Sequence, residues 1–582
     1  MSGLADQQDG AAPPRPASRT RVMTIIAQDP AVQRDGRIVR AAATVPVDRL
    51  EPGPRSHRFH VVDYDGTSGV LHPAADLADP REPDPRPARW TYADRFAQAS
   101  DEVLLGDFAF HAQNVYAIAA RTLARLEFAL GRRIEWEFRS HQLYLVPHAF
   151  VEANAFYSRD DCGLFFGYLP QPDGTTVHTC LSHDIVAHET THAILDGLRP
   201  RFMEPGLPDQ PGFHEALGDI VALLSVFSLP ELIEFALTTE QDARNRVETG
   251  NDLTEQLAQG ILFGVAEQFG STTSGVRGSA LRRSVKLDPN AAWLGDPGFQ
   301  EPHRRGEILV AALTRGLVKM WTGRLAQLAD RGAMSVRAAA EAGAKAAEHL
   351  LTMFIRALDY APAVELEFDD VLDAMLVADA VVAPDDAHGY RDAVREAFGT
   401  YGIVQPTDRI VDVAAAPLYY DHVNATALRT NPDEVFRFVW QNLDALGLCP
   451  EYELEVAAVR PAVRIGPDGL LVEEVVADYV QVLDLTGTQA GERGIGLPHS
   501  VSGDTPIQIW GGGTLIFDQF GRLKFHQRKR LDDWDRQSRR VAYLAHRGLF
   551  DTRNRLGFSL GASRGLPFAD LHAPDRGIEE RW

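Results

Sequence analysis

The segment Asp184-Ile-Val-Ala-His188-Glu189-Thr-Thr-His192-Ala-Ile-Leu constrains this chain more than any other. Residues four apart on an α-helix lie one turn above each other, so a helix here stacks the imidazoles of His188 and His192 on one face. Two imidazoles so placed can bind one metal ion, and Glu189, one step round, can reach a water held on it. Ile185, Val186, Ile194, Leu195 and Leu198 give the same stretch an apolar face, which predicts a buried helix over 182–198, stopped by Pro200. With 19 histidines in 582 residues, chance produces this His-Glu-x-x-His spacing roughly 0.04 times per chain. The ordinary alternative is a pair of histidines satisfied by solvent or by the core.

A second apolar helix is predicted from Pro211 to about Phe227, stopped by Pro230. It carries Glu215 and, four residues on, Asp219. Glu215 can supply a carboxylate as third ligand. Asp219 can accept the other ring N–H of a ligating imidazole, which fixes that ring's tautomer and orientation. Zinc accepts both donor types and keeps a position open for water in catalytic sites. His183 lies five residues before His188, off the metal-facing stripe, and reads as a helix-start residue.

The rest of the chain divides by texture. Residues 1–20 are a Pro/Ala-rich leader expected to be disordered, and 21–90 a β-rich N-terminal region ending in the proline-rich linker 79–87. Helical periodicity begins at 107–130, with Gly131 as a stop, and strands are expected over 135–150. Further helices are expected at 307–325, 335–358, 368–378 and 386–398. After about residue 405 come a short amphipathic helix at 433–446 closed by Gly447, a strand at 470–485, and a hairpin of 514–517 with 523–525 around Gly521. The organisation expected is therefore 21–90, 91–405 and an accessory α+β domain at 406–582.

Charge and composition exclude some classes. The 58 basic residues against 81 acidic ones give a net charge of −23, the wrong sign for a nucleic-acid partner. There is neither a run of eighteen apolar residues for a membrane span nor an apolar leader for secretion. A cytoplasmic location is the expectation, with export by an unconventional route left open. Cys162, Cys180 and Cys449 are odd in number and widely spaced, which reads as reduced thiols. Gly561-Ala-Ser563-Arg-Gly565 formally matches a nucleophile elbow, but no strand precedes it.

The succession of motifs resembles the thermolysin-like gluzincin metallopeptidases, in which a Glu-x-x-x-Asp helix follows the His-Glu-x-x-His helix. Asn154-Ala155-Phe156-Tyr157 is similar to the family's edge-strand segment, which hydrogen-bonds the substrate backbone. Gly278-Ser-Ala-Leu281-Arg282 resembles the stretch whose arginine holds a substrate carbonyl. Pro302-His303-Arg-Arg-Gly306 resembles the segment whose histidine stabilises the oxyanion. The resemblance covers about residues 95–405. It implies an α+β zincin fold with a mixed sheet and a mainly helical C-terminal lobe. It further implies one zinc ion on His188, His192 and Glu215, with Glu189 and His303 catalytic and Asp219 behind a ligand. Asn154, Ala155 and Arg282 would hold an extended peptide or protein substrate.

Departures from the family are specific. The segment Arg201–Pro211 contains no tyrosine, where the family places a second oxyanion donor. Asp184 matches a calcium-binding position, but Val226 stands where another acidic ligand is expected, which leaves calcium doubtful. About forty extra residues separate Asp219 from the arginine segment. The function implied is zinc-dependent endopeptidase activity; the alternative is a zinc-stabilised protein that binds peptides without turnover.

Overall fold

The computed structural model describes residues 20–34, 36–78, 93–138, 140–204, 206–240, 246–248, 260, 283–328, 333–405, 417–466 and 469–548. The leader 1–19, the linker 79–87, Arg282 with the stretch before it, and the 561–565 motif lie outside the described residues.

The architecture is mixed α+β. Strands β1 (Thr20–Ile26) and β2 (Arg40–Pro46) pair antiparallel, Thr20 opposite Pro46. Strand β3 (Phe59–Val61) enters a second sheet beside β4 (Leu143–Val151), to which it runs parallel. The sheet continues with β5 (Ala155–Ser158), β6 (Gly163–Pro170) and β7 (Thr176–His178). Strand β6 is parallel to β4 and antiparallel to both β5 and β7. Among the described residues β5 pairs with β6 alone, so its other edge is open.

Helix α1 (Phe108–Leu130) has its start and stop written locally. The Asp107 side chain accepts from the Ala109 N–H at 2.8 Å, and Gly131 closes the last turn with φ of 71°. Helix α2 (His183–Leu198) follows β7, and α3 (Asp209–Phe227) packs against it. Helix α4 (Pro302–Leu328) begins a turn before the expected 307, because the Glu301 carboxylate accepts from the His303 and Arg304 amides at 3.1 and 2.8 Å and Pro302 suits a first turn. Helices α5 (Val336–Ala357), α6 (Phe368–Val382) and α7 (Tyr390–Gly399) complete this layer. No helix among the described residues is long and apolar enough to cross a membrane.

The N-terminal strands share the apolar core of these helices: Met23 and Ile25 belong to the same buried cluster as Leu123, Ile194 and Leu217. Their connection also fastens the start of α2. The Asn114 side chain accepts from the Ile26 N–H at 2.9 Å and donates to the Cys180 carbonyl at 3.0 Å, and the His183 N–H donates to the Gln28 carbonyl at 3.1 Å.

Beyond residue 417, helix α8 (Pro432–Gln441) leads into a four-stranded antiparallel sheet. Its strands lie in chain order: β8 (Glu453–Ile465), β9 (Leu471–Thr486), β10 (Pro506–Asp518) and β11 (Leu523–Lys529); helix α9 (Trp534–His546) follows. The helix expected over 433–446 is broken at Asn442. Its side chain donates to the Tyr419 carbonyl and accepts from the Tyr419 N–H, at 2.8 and 2.7 Å, tying the turn to a preceding loop.

Buried charge joins this sheet to the helices. Arg199, directly after α2, donates to Asp478 of β9 at 2.5 Å and to the Leu358 carbonyl at 2.8 Å. Arg460 of β8 donates to the same carboxylate at 2.5 Å and to the Leu198 carbonyl at 3.1 Å. Arg132 forks onto Asp359 at 2.5 and 2.6 Å, and Arg464 of β8 pairs with both Asp359 and Glu474. Gly131 is the close-approach point: a Cβ there would collide with the Val463 carbonyl, while the Val463 N–H donates to the Gly131 carbonyl at 3.0 Å.

Burial by itself would raise the Asp478 carboxyl, but Arg199 and Arg460 outweigh it and hold the group down to about 2. Asp478→Ala strands two buried guanidinium groups and should cost about 3–5 kcal/mol of unfolding free energy, read by urea denaturation. Because the folded carboxyl titrates below its ordinary 3.8, its contribution is complete above that pH and lost as pH falls toward 2. The stability gap between wild type and variant should close across that acid window.

Candidate metal centre

Helices α2 and α3 bring His188, His192 and Glu215 together, one donor atom from each lying within 4.8 Å of the others. All three are buried, and Glu189 beside them is fully enclosed. His188 is the best-defined member. Its Nδ1 lies 3.0 Å from an Asp219 carboxylate oxygen on α3, and its Nε2 faces Glu215 at 3.9 Å. A carboxylate on Nδ1 keeps the proton there and turns the Nε2 lone pair toward the shared space. The rings of His188 and His192 stand edge to face, with centroids 4.4 Å apart.

Several contributors to this geometry carry no sequence signal of their own. Gly218, one turn after Glu215, lies under the His188 ring: a Cβ there would stand 2.7 Å from Nδ1. Glycine is needed because the imidazole lies against the α3 backbone. His214 stacks on His192 with centroids 4.5 Å apart and an interplanar angle of 16°, backing that ring. Gly212 and Gly306 let α3 and α4 touch: a Cβ on Gly306 would meet the Gly212 carbonyl at 2.8 Å. A histidine or carboxylate beside a motif is a usable hint, but a glycine's neighbour on another helix cannot be read from spacing.

The α3–α4 approach carries His303 to the site, its Nε2 3.3 Å from the Glu215 carboxylate. Its Nδ1 sits 2.8 Å from Glu301. Burial pushes the Glu301 carboxyl up, and the His303 hydrogen bond with its charge brings it below its ordinary value.

The remaining residues read from the sequence fall as follows. Asn154 and Ala155 sit at the start of the open-edged strand β5; the Asn154 carbonyl accepts from the Gly167 N–H at 2.8 Å and its side chain accepts from the Ala155 N–H at 2.9 Å. Tyr157 of the same strand donates to Asp196 of α2 at 2.9 Å, which ties strand to helix. His183 opens α2 with Nε2 3.1 Å from the Ser225 hydroxyl, and burial pushes it down to about 3. For Asp184, burial and then the Asp29 carboxylate push its own carboxyl up to about 6. Val226 is fully buried in the apolar core. A separate acidic group, Glu367, Asp369 and Asp370, already holds a cation, since the Lys529 ammonium lies 2.7 Å from Glu367 and 2.5 Å from Asp370.

No family model matches the chain, and no curated protein matches its sequence.

The donor set suits a divalent ion, and its rigidity is testable. Asp219→Ala should weaken metal retention about 10–100-fold by releasing the His188 ring. Gly218→Ala, which pushes on that ring directly, should weaken it in the same direction. Competition with a chromophoric chelator measures both.

Proposed function

We propose that this chain is a zinc-dependent endopeptidase of the thermolysin-like kind. The observation that carries the reading is the meeting of His188, His192 and Glu215 within 4.8 Å, with Asp219 on the outer nitrogen of His188. Donor atoms bonded to one tetrahedral zinc ion lie about 3.4 Å apart. The 3.9 Å gap between His188 Nε2 and Glu215 therefore closes with a small side-chain rotation.

His188, His192 and Glu215 would hold the zinc ion, which would supply a Lewis acid for the scissile carbonyl and lower the pKa of a bound water to about 7. Glu189, the carboxylate beside these ligands, would act as the base that takes a proton from the attacking water and returns it to the leaving amine. Its enclosure, at 0 % exposure, keeps bulk water from competing for the carboxylate. His303 would donate from Nε2 to the carbonyl oxygen as charge develops there, its ring oriented by Glu301 on Nδ1. The open edge of β5, from Asn154 and Ala155 onward, aligns an extended peptide by strand addition. Arg282 is assigned to the substrate carbonyl by resemblance alone.

The second reading, a zinc-stabilised protein that binds peptides without turnover, draws on the 201–211 segment, which offers buried Phe202 and Met203 but no phenolic hydroxyl. The enclosed carboxylate of Glu189 favours the enzyme, because a structural zinc site has no use for a base.

Zinc-loaded protein should cleave an unfolded casein-like substrate in a chelator-sensitive way. Glu189→Ala should lower the rate about 10²–10⁴-fold while zinc content stays unchanged. Cleavage at the wild-type rate by that variant, or no cleavage by the loaded wild type, overturns the proposal.

A further inference from the structure

Three histidines outside the centre described above converge at the end of the strand that leads into α2. His111 lies in the first turn of α1, His148 on β4 and His178 at the last position of β7. One ring nitrogen from each falls within 4.8 Å of the others. The ring centroids are 4.7 Å apart for His111 and His178, 5.0 Å for His148 and His178, and 5.1 Å for His111 and His148. His111 and His148 are 0 % and 2 % exposed; Phe108 stacks on His148 with centroids 4.2 Å apart.

The hydrogen bonds around the cluster fix which nitrogens are free for a ligand. His111 Nε2 is 2.9 Å from the Leu105 carbonyl, which can only accept, so Nε2 carries the proton and the Nδ1 lone pair points inward. His148 Nδ1 is 2.8 Å from the Asp63 carboxylate, so that nitrogen carries the proton and the Nε2 lone pair points inward. Yet His111 Nδ1 and His148 Nε2 face each other at 2.8 Å. Two lone pairs at that separation repel unless something positive lies between them: an added proton on the pair, or a metal cation. His178 bears on the choice. Among the described residues its Nδ1 is buried with no hydrogen-bond partner, a cost that a cation bound at that nitrogen removes and a proton shared by the other two rings does not.

We propose that His111, His148 and His178 form a second metal site, taking a first-row divalent ion of the zinc class. Three neutral imidazoles are the donor set such ions accept, leaving a fourth position for water. Asp63 and the Leu105 carbonyl are the outer partners that ligating histidines ordinarily have, the first on the far nitrogen of His148 and the second on that of His111. The nitrogens of His111 and His148 must part from 2.8 Å to about 3.4 Å to bind a common ion. The site joins α1, β4, β7 and the 62–63 connection that holds Asp63. It thereby clips together the elements that carry the chain into α2.

The test uses the full-length protein, stripped with a chelator, reloaded with Zn²⁺ and desalted, with zinc per chain measured by mass spectrometry and folding checked by circular dichroism. Wild type should retain two equivalents, His178→Ala one, His192→Ala one, and the double variant none. Asp63→Asn, which alters no ligand, should weaken one of the two equivalents about 10–100-fold. Should His178→Ala fail to fold, the equivalent retained by His192→Ala, and its weakening by Asp63→Asn, decide the matter. A single wild-type equivalent lost in His192→Ala and kept in His178→Ala overturns the second site and leaves the proton as occupant. A single equivalent with the opposite dependence supports the second site and overturns the zinc reading of the first.

Discussion

The arrangement depends on how closely α3 can lie against α2. His188 reaches the shared space with its ring flat on the α3 backbone at Gly218, held there by Asp219 at 3.0 Å. With a side chain at Gly218 the ring would be displaced, and the edge-to-face relation to His192 and the gap to Glu215 would both change. The same economy operates one helix further on, where Gly212 and Gly306 let α4 deliver His303 beside Glu215. A side-chain cluster assembled from different helices needs backbones close enough for short side chains to meet. Here glycines supply that closeness.

A second constraint is electrostatic. The four-stranded sheet is fixed to the helical layer through buried carboxylates and buried or half-buried guanidinium groups, with Arg199 at the end of α2 in the middle of them. Such pairs add little net stability, because desolvation offsets most of the attraction, but mispairing them is expensive. They therefore act mainly to select one docking geometry. Through Arg199 and the Leu198 carbonyl, that geometry reaches the helix bearing His188 and His192.

Much of this was legible in the sequence wherever the relevant pattern is local. The 3.6-residue period located α1, α2 and α3 to within a few residues, and Asp107 and Gly131 marked the ends of α1 because capping is chemistry between near neighbours. The break at Asn442 was not legible, since its cause is a loop twenty-three residues earlier. Nor was the His111, His148 and His178 cluster: its members lie on a helix and two strands, with no spacing that marks them as a set.

By itself the sequence determined that two imidazoles share a helix face, with a carboxylate base beside them and an acid pair one turn apart on the next helix. Helical periodicity dictates such relations whatever the rest of the chain does. Only the tertiary structure decided that these faces meet, that Asp219 takes the outer nitrogen of His188, that His303 lies against Glu215, and that three further histidines gather under the β7–α2 connection. Those are distances between elements. They follow from which backbones can touch and which buried charges must find a partner, and no short stretch of sequence contains either.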